Sequence, residues 1–459
     1  MPTNFNVAKW WKKFTTQHQV LSNISILATG TAATQALVLI VSIFTARIFS
    51  PAVFGEFALF SAIVGVFVVI ATLRYDLAVV LPDTDKDARQ LIRLSTRTNF
   101  IVSIAATALA FALRPIVLQI WGSQILATWI PLIGVAIFCS AQVSIWQYWY
   151  NRKRQYTVIA LNRFESGAGT SFGQLGLGLA GLTSLLGLIA GNLIGLLWAL
   201  FNLGRQSRET RIPPTEDTAS IWEMANRYKK MPLLNLPNAL IDAVRTNGIQ
   251  MLIGAIALDS LGQFNLAWRI LQAPIALLNG AIAQVFLERM ARVKRGELTG
   301  LVRAVMKRAT LFGIPPFVLL WILSPWLVPL VFGPNWAQAG LIARAIVPWL
   351  AINLIASPLS GVFVVTGRQL WILLHTIIFT AVPLLWLALS PLDFMMTLHF
   401  LSLMMAFMLL VLIFIADLAA RAYDKAEAAE TGKPTDQTFD DEIGNAGTNK
   451  PEQDEINED

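Results

Sequence analysis

LLGLIAGNLIGLLWALFNL, residues Leu185 to Leu203, runs without a charged side chain and ends against Arg205, Arg208 and Arg211. As an α-helix rising 1.5 Å per residue it covers about 28 Å, close to the thickness of a bilayer's hydrocarbon core. The arginines that follow need water or lipid headgroups, so the stretch reads as a membrane span with its edge marked.

Working outward, the same block recurs along the chain, near 24–47, 57–73, 98–119, 126–150, 156–181, 185–203, 233–256, 262–287, 310–332, 341–366, 370–389 and 395–418. These blocks predict an all-α polytopic membrane protein of about twelve transmembrane helices. Composition agrees: 55% of residues are hydrophobic and 14% charged, with a mean hydropathy of +0.59. A soluble domain of this length needs more polar surface. The net charge of +7 conceals an acidic end, because residues from Asp424 onward hold twelve acids against three lysines. The positive remainder suits anionic headgroups beside the loops, and no basic run points to nucleic acid. A single cysteine, Cys139, excludes an internal disulfide or a cysteine-based metal centre. The opening segment MPTNFNVAKWWKKFTTQHQ is basic and amphipathic but has no small-residue cleavage site, so the first span is expected to be retained.

Lysine and arginine alternate between connections. Lys9, Lys12 and Lys13 precede the first span, Arg74, Lys86, Arg89, Arg93 and Arg97 follow the second, and Arg152, Lys153 and Arg154 follow the fourth. The sixth and eighth spans are also followed by basic connections, whereas the odd connections are short and poor in lysine. Arg47, Arg114 and Arg344 are the exceptions, placed as headgroup anchors. The positive-inside rule then puts both termini in the cytoplasm.

Loop sizes divide the chain into a basic N-terminal segment (1–20), an N-lobe of six spans (21–203), a cytoplasmic linker with a surface helix (204–231), a C-lobe of six spans (232–418) and an acidic disordered tail (419–459). A faint repeat relates the lobes. Phe54-Gly55-Glu56-Phe57-Ala58-Leu59, read as the turn after the first span, matches Leu261-Gly262-Gln263-Phe264-Asn265-Leu266 after the seventh, and Trp121-Gly122 matches Phe332-Gly333. Two six-helix lobes related by a pseudo-two-fold axis follow.

Charges inside the spans are few, and each costs on the order of 3 kcal/mol unless it faces a partner or a cavity. Asp242 and Arg245 lie three apart on one face of the seventh span, with Arg245 about 18 Å deep. Arg269 lies in the eighth span; Arg163 and Glu165 lie in the fifth, two apart and so on different faces; Arg74 and Asp76 end the second. A structural ion pair or a snorkelling side chain would explain each of them as well. Together, however, arginines outnumber acids, and a planar guanidinium fork suits a phosphate. Thr31, Thr34, Gln35, Asn247, Gln250, Asn279 and Gln284 could bond sugar hydroxyls or tie helices together. His375 and His399 are isolated in apolar spans. Prolines 232, 237, 274, 315, 316, 348 and 358 suggest kinked helices. No ATP-binding glycine loop, HExxH, GxSxG or paired Cys/His spacing occurs, and no outer loop is long enough for an extracellular catalytic platform.

The sequence resembles the oligosaccharide-lipid (Wzx-type) flippases of the multidrug/oligosaccharidyl-lipid/polysaccharide exporter superfamily. The resemblance runs from about Leu21 to Leu418 and rests on FSPAVFGEFAL (Phe49–Leu59), RYDLAVVLP (Arg74–Pro82), Pro232–Gln250, GQFNLAWRILQAP (Gly262–Pro274), AIAQVFLERMA (Ala281–Ala291), VFGPNWAQAG (Val331–Gly340) and SPLSGVFVVTGRQ (Ser357–Gln369). It implies a V-shaped pair of bundles around a cationic cavity that opens alternately to each side. It further implies an undecaprenyl-diphosphate-linked oligosaccharide as substrate for O-antigen, capsule or exopolysaccharide synthesis. Substrate binding then falls to Arg163, Arg245 and Arg269, charge coupling to Glu165 and Asp242, and an inner gate to Arg74 and Asp76. No catalytic residue, metal or cofactor is expected beyond coupling to an ion gradient. Expected partners are membrane lipids, a polysaccharide polymerase and a chain-length regulator. Two rivals remain open: a cation-coupled multidrug-type exporter of the same fold, which needs acids in its cavity, and a membrane glycan polymerase or ligase, which needs a long outer loop.

Overall fold

A break of two residues, Phe49-Ser50, separates the first two helices. Ser50 caps the second through a hydrogen bond accepted from Val53 N, and Pro51 occupies its first turn, where a missing N–H costs nothing. The computed structural model describes residues 29–213, 218–272, 275 and 296–431. Among the described residues twelve helices carry the fold. The first six are α1 (Thr29–Ile48), α2 (Pro51–Ala71), α3 (Asp85–Ala112), α4 (Gln124–Arg152), α5 (Tyr156–Leu179) and α6 (Leu185–Gln206). The second six are α7 (Leu236–Ile256), α8 (258–272 as described), α9 (Leu298–Phe332), α10 (Ala337–Ala356), α11 (Gln369–Leu389) and α12 (Phe394–Thr431). Among the described residues there is no strand.

Nine of these helices are long and apolar enough to cross a membrane. The other three are α5, α7 and α8, and α8 is described only in part. They are the helices that hold Arg163, Glu165, Asp242, Arg245 and Arg269. Large apolar side chains such as Phe312, Trp326, Leu330, Leu389 and Phe407 stand exposed on the outside of the bundle, as a lipid-facing surface requires. Within the C-lobe α10 is central: 72% of its most apolar stretch is buried, against 17% for α9.

Several expected boundaries move. FGEFAL and LGQFNL are not turns; Phe54–Leu59 lies inside α2, and residues 261–266 lie inside α8, which follows α7 after the single residue Ala257. Charged helix extends past the apolar blocks, with α3 starting at Asp85 rather than 98 and α9 at Leu298 rather than 310. Hydropathy clips a helix where charge begins, whereas backbone hydrogen bonding continues beyond the membrane edge. The expected disordered tail from 419 is likewise corrected: α12 continues to Thr431. Asp424 is buried and accepts hydrogen bonds from Leu298 N (3.3 Å), Thr299 N (2.8 Å) and Thr299 Oγ1 (2.6 Å), so it caps α9. The tail beyond 431, the basic N-terminal segment, and Pro274, Asn279, Gln284 and AIAQVFLERMA lie outside the described residues.

Between the lobes, a short helix Ile221–Arg227 leaves Trp222 exposed and drives Met224 fully into the core at the basic end of the N-lobe. Tyr75 Oη donates to Ala225 O (3.3 Å), which ties this helix to the segment that follows α2. Lys153 bridges Asp85 and Glu209 nearby; its hydrogen bond to Asp85 pushes the ammonium pKa up. Within the N-lobe α5 and α6 approach through glycines. A Cβ on Gly173 would lie 2.9 Å from Gly191 O, and one on Gly169 would lie 2.9 Å from Gly195 Cα, the close contact that small residues at intervals of four permit.

The lobes meet at the arginine-poor end. Gly55 of α2 faces Leu258 and Gly262 of α8, and a Cβ on either glycine would overlap the other segment's backbone. Around this crossing Trp336 Nε1 donates to Ala46 O (2.7 Å), Trp121 Nε1 to Met251 O (3.2 Å) and Arg47 Nη2 to Val331 O (3.0 Å). The residues that follow the two glycines are similarly placed. Glu56 beside Gly55 accepts from Ser123 Oγ at the start of α4, and Gln263 beside Gly262 bonds Asn335 O and Ala339 N at the start of α10. This is the pseudo-two-fold relation that the short repeat indicated.

Candidate functional site

Near the middle of α7, Arg245 donates through Nη2 to Asp242 Oδ1, an i,i+3 pair on one helix face. The pair is uneven. The Asp242 side chain is 62% exposed and that of Arg245 only 21%. The guanidinium stands 5.0 Å from the Phe379 ring of α11, a cation–π arrangement, and its Nε is buried without a hydrogen-bond partner. Arg245 opens onto a hollow of about 220 Å³ between α7, α8 and α10, bordered by Thr246 and Gln250, by Phe264, Trp268 and Gln272, and by Trp349 and Asn353. Arginine has five N–H donors. Asp242 takes one, which leaves donors for an anion.

A second hollow, of about 190 Å³, lies in the N-lobe between α4 and α5, bordered by Ser144, Gln147, Tyr148, Asn151, Tyr156 and Arg163. Asp76 is buried beside it, accepting from Thr72 Oγ1 (2.8 Å) and Ser144 Oγ (3.4 Å). Tyr148 lies within electrostatic reach of Asp76, Arg74 and Arg163. Arg74 is held in the left-handed region (φ 61°) directly after Leu73 (φ 49°), and its Nε is buried and unpaired. Two consecutive non-glycine residues in that region store backbone strain of the sort found at switch segments.

The sequence-derived candidates thus separate. Arg163 borders the N-lobe hollow, with Asp76 bonded to Ser144 of its wall, and Arg245, paired with Asp242, borders the C-lobe one. Arg74 and Asp76 do not pair with one another, since Asp76 is satisfied by Thr72 and Ser144. Glu165 points away from Arg163, as its spacing of two requires. It accepts from Asn202 Nδ2 (2.9 Å) and borders an apolar groove with Phe164, Phe172, Trp198 and Phe201. Arg269 is half-buried on α8, borders neither hollow and has no ion pair among the described residues. His375 and His399 are engaged with backbone, His375 Nε2 to Met408 O (3.0 Å) and His399 Nδ1 to Met395 O (2.7 Å).

Sequence reasoning passed over Trp268, Trp349, Gln272, Asn353 and Tyr148. Tryptophan reads equally well as an interfacial residue, and a lone amide in a span as a helix tie. The missing signal was coincidence of position, with an amide and an aromatic brought from three helices to one hollow. Among the described residues no group of three acids, histidines or cysteines could hold a metal ion.

Comparison with solved structures places the architecture. The chain is similar to the lipid II flippase MurJ in an inward closed conformation, with a TM-score of 0.71 and 12% identity, covering 91% of this chain and 95% of that one. It is also similar to an inward-facing multidrug resistance MATE family transporter of the MOP superfamily, with a TM-score of 0.62, 13% identity and coverage of 85% and 96%. A further likeness is to a MOP superfamily transporter from Pyrococcus furiosus, with a TM-score of 0.56, 12% identity and coverage of 88% and 96%. At such identities the likeness establishes the fold. No curated protein sequence matches. A family model described as "Polysaccharide biosynthesis protein" matches residues 44–340, well over half of the chain. The chain therefore belongs to the polysaccharide biosynthesis protein family and has the two-lobed helical fold of the MOP superfamily.

Proposed function

We propose that this protein is a flippase that moves a polyprenyl-diphosphate-linked oligosaccharide across the bacterial inner membrane by alternating access, with both termini in the cytoplasm. The observation that carries this reading is Arg245, a guanidinium near the middle of a membrane helix whose buried Nε lacks a partner beside a polar hollow. A diphosphate entering hydrocarbon alone loses its hydration at prohibitive cost, whereas fixed N–H donors replace it. Arg163 and Arg74 supply a second basic station in the N-lobe. Arg269 is a further cation on the same path. The polyprenyl tail stays in lipid, and the contact of Gly55 with Gly262 forms the closed end of the pathway.

Energy would come from an ion gradient, with Asp242 and Glu165 as the acids available to couple it. The strained Arg74 segment and Asp76 would form the gate at the basic end. A polymerase and a chain-length regulator would consume the delivered units as O-antigen, capsule or exopolysaccharide. The drug-exporter alternative needs free acids facing its cargo. Asp242 is already bound to Arg245, and among the described residues no acid borders the C-lobe hollow.

Arg245→Ala should abolish surface glycan display in a strain that depends on this gene, with membrane abundance unchanged. Arg245→Lys should retain partial display, because a point charge keeps attraction but loses the fork. Normal display by Arg245→Ala would remove Arg245 from the transport path and with it the main support for this reading.

A further inference from the structure

The arginine-rich end of α3 gathers cations that no acid answers. Lys86, Arg89, Arg93 and Arg97 recur at intervals of three, four and four, which sets them in one stripe of the helix. Arg89 and Arg97 each act electrostatically on Arg93. Arg93 donates to Gln90 Oε1 (3.1 Å) and to Ile212 O, and so holds the turn Arg208–Arg211, with its two exposed arginines, beside the stripe. The acids at this corner are engaged elsewhere, Asp85 with Arg152 and Lys153, Glu209 with Lys153, and Asp87 with Arg227. Among the described residues none of these cations of α3 and the turn has an ion pair. Like charges in contact repel one another, so the cluster calls for an anion.

The other lobe handles the same place differently. In α9, the third helix of the C-lobe as α3 is of the N-lobe, Arg303 pairs with Asp417 of α12 (3.1 Å), and Asp424 of α12 caps the helix start. The last helix of the N-lobe, α6, ends in Arg205 and adds positive charge instead. The face of α3 itself indicates what kind of anion serves. One turn beyond Arg97 the stripe continues as Phe100, Ile101 and Ile104, all exposed. At 3.6 residues per turn these three and the arginines fall within about 120° of the helix circumference. Charge thus gives way to exposed hydrocarbon along a single face, the pattern of a helix passing from headgroups into acyl chains. A water-soluble anion would engage the arginines alone. A phospholipid with a net negative headgroup covers both parts, its phosphodiester accepting from guanidinium forks and its chains lying along the apolar continuation.

We infer that α3 and the turn Arg208–Arg211 form a binding site for one anionic phospholipid of the leaflet at the arginine-rich end, with its phosphate among Arg89, Arg93 and Arg97 and its acyl chains on Phe100, Ile101 and Ile104. The bound lipid fastens the head of the linker between the lobes to the N-lobe. None of these residues borders either hollow, so the inference stands apart from what is transported.

The full-length protein in detergent is titrated with dioleoyl phosphatidylglycerol and with dioleoyl phosphatidylcholine, and bound lipid is counted by native mass spectrometry. Wild type should hold one phosphatidylglycerol at least about tenfold more tightly than phosphatidylcholine, a difference of about 1.4 kcal/mol. Arg89→Gln/Arg97→Gln, which leaves the Arg93 contacts in place, should bring that preference to within about twofold. Lys307→Gln/Arg308→Gln, which removes the same charge from exposed positions of α9, should keep it. Equal binding of the two lipids by wild type would overturn the site. So would a preference that survives Arg89→Gln/Arg97→Gln, or one lost equally in both variants, which would reduce it to diffuse attraction. A preference that emerges only after residues 432–459 are deleted would assign the stripe to the chain's own acidic end and overturn the lipid site.

Discussion

The start of α2 and the start of α8 are two corners built on one backbone plan with different side-chain chemistry. Each has a glycine against the other's backbone, and each has the next residue reaching to the first turn of a neighbouring helix of its own lobe. In the N-lobe that residue is Glu56, 7% exposed, held by Ser123 through one oxygen while the other has no partner. In the C-lobe it is Gln263, which both donates, to Asn335 O, and accepts, from Ala339 N, and so leaves nothing unmatched. The repeat therefore preserves the approach of backbones, which tolerates no side chain, and releases the polar partner, which needs only to be satisfied. Close packing constrains residue identity more tightly than hydrogen bonding does.

The largest effect should come from the shared part of the plan. Gly55→Val and Gly262→Val would each drive a side chain into backbone that cannot yield, so both should remove surface glycan display entirely, with protein still in the membrane. Full activity in one of them would show that the corners are not equivalent in transport. A smaller, unequal effect should come from the differing part. Gln263→Leu strands the Asn335 carbonyl and the Ala339 N–H at about 1–3 kcal/mol each, whereas Glu56→Leu also removes an unpaired oxygen. The thermal midpoint in detergent should fall clearly further for Gln263→Leu than for Glu56→Leu, and equal falls would break the comparison. Smallest is a corner outside the repeat, where α9 takes its cap from α12. Asp424→Ala should cost about 1 kcal/mol, read as a modest drop in thermal midpoint without loss of display.

Much of the architecture was legible because membrane burial is a local property. Leu185–Leu203 announces its length and its polar edge in its own residues, and so do the other apolar blocks. Asp242 and Arg245 were legible for the converse reason, since a charge in such a block has no inexpensive place to go. Helix ends were misread where charge begins, at Asp85 and Leu298, and past Leu418, because hydropathy marks the membrane edge and hydrogen bonding marks the helix end. FGEFAL and LGQFNL were visible as a repeat but taken for turns. Glycine after an apolar span signals a turn when read alone, and here each glycine serves the other's approach from some two hundred residues away.

Residue order alone determined that the chain crosses the membrane many times, that its halves are related, and that arginine prevails over acid within its spans, because each of these depends on what a single segment tolerates in lipid. Tertiary structure decided that Arg163 and Arg245 serve separate hollows, that Arg269 borders neither, and that Trp268, Gln250 and Asn353 share a wall. Those are facts about which helices stand side by side, and side-chain packing across α7, α8 and α10 sets them, not the periodicity of any one helix.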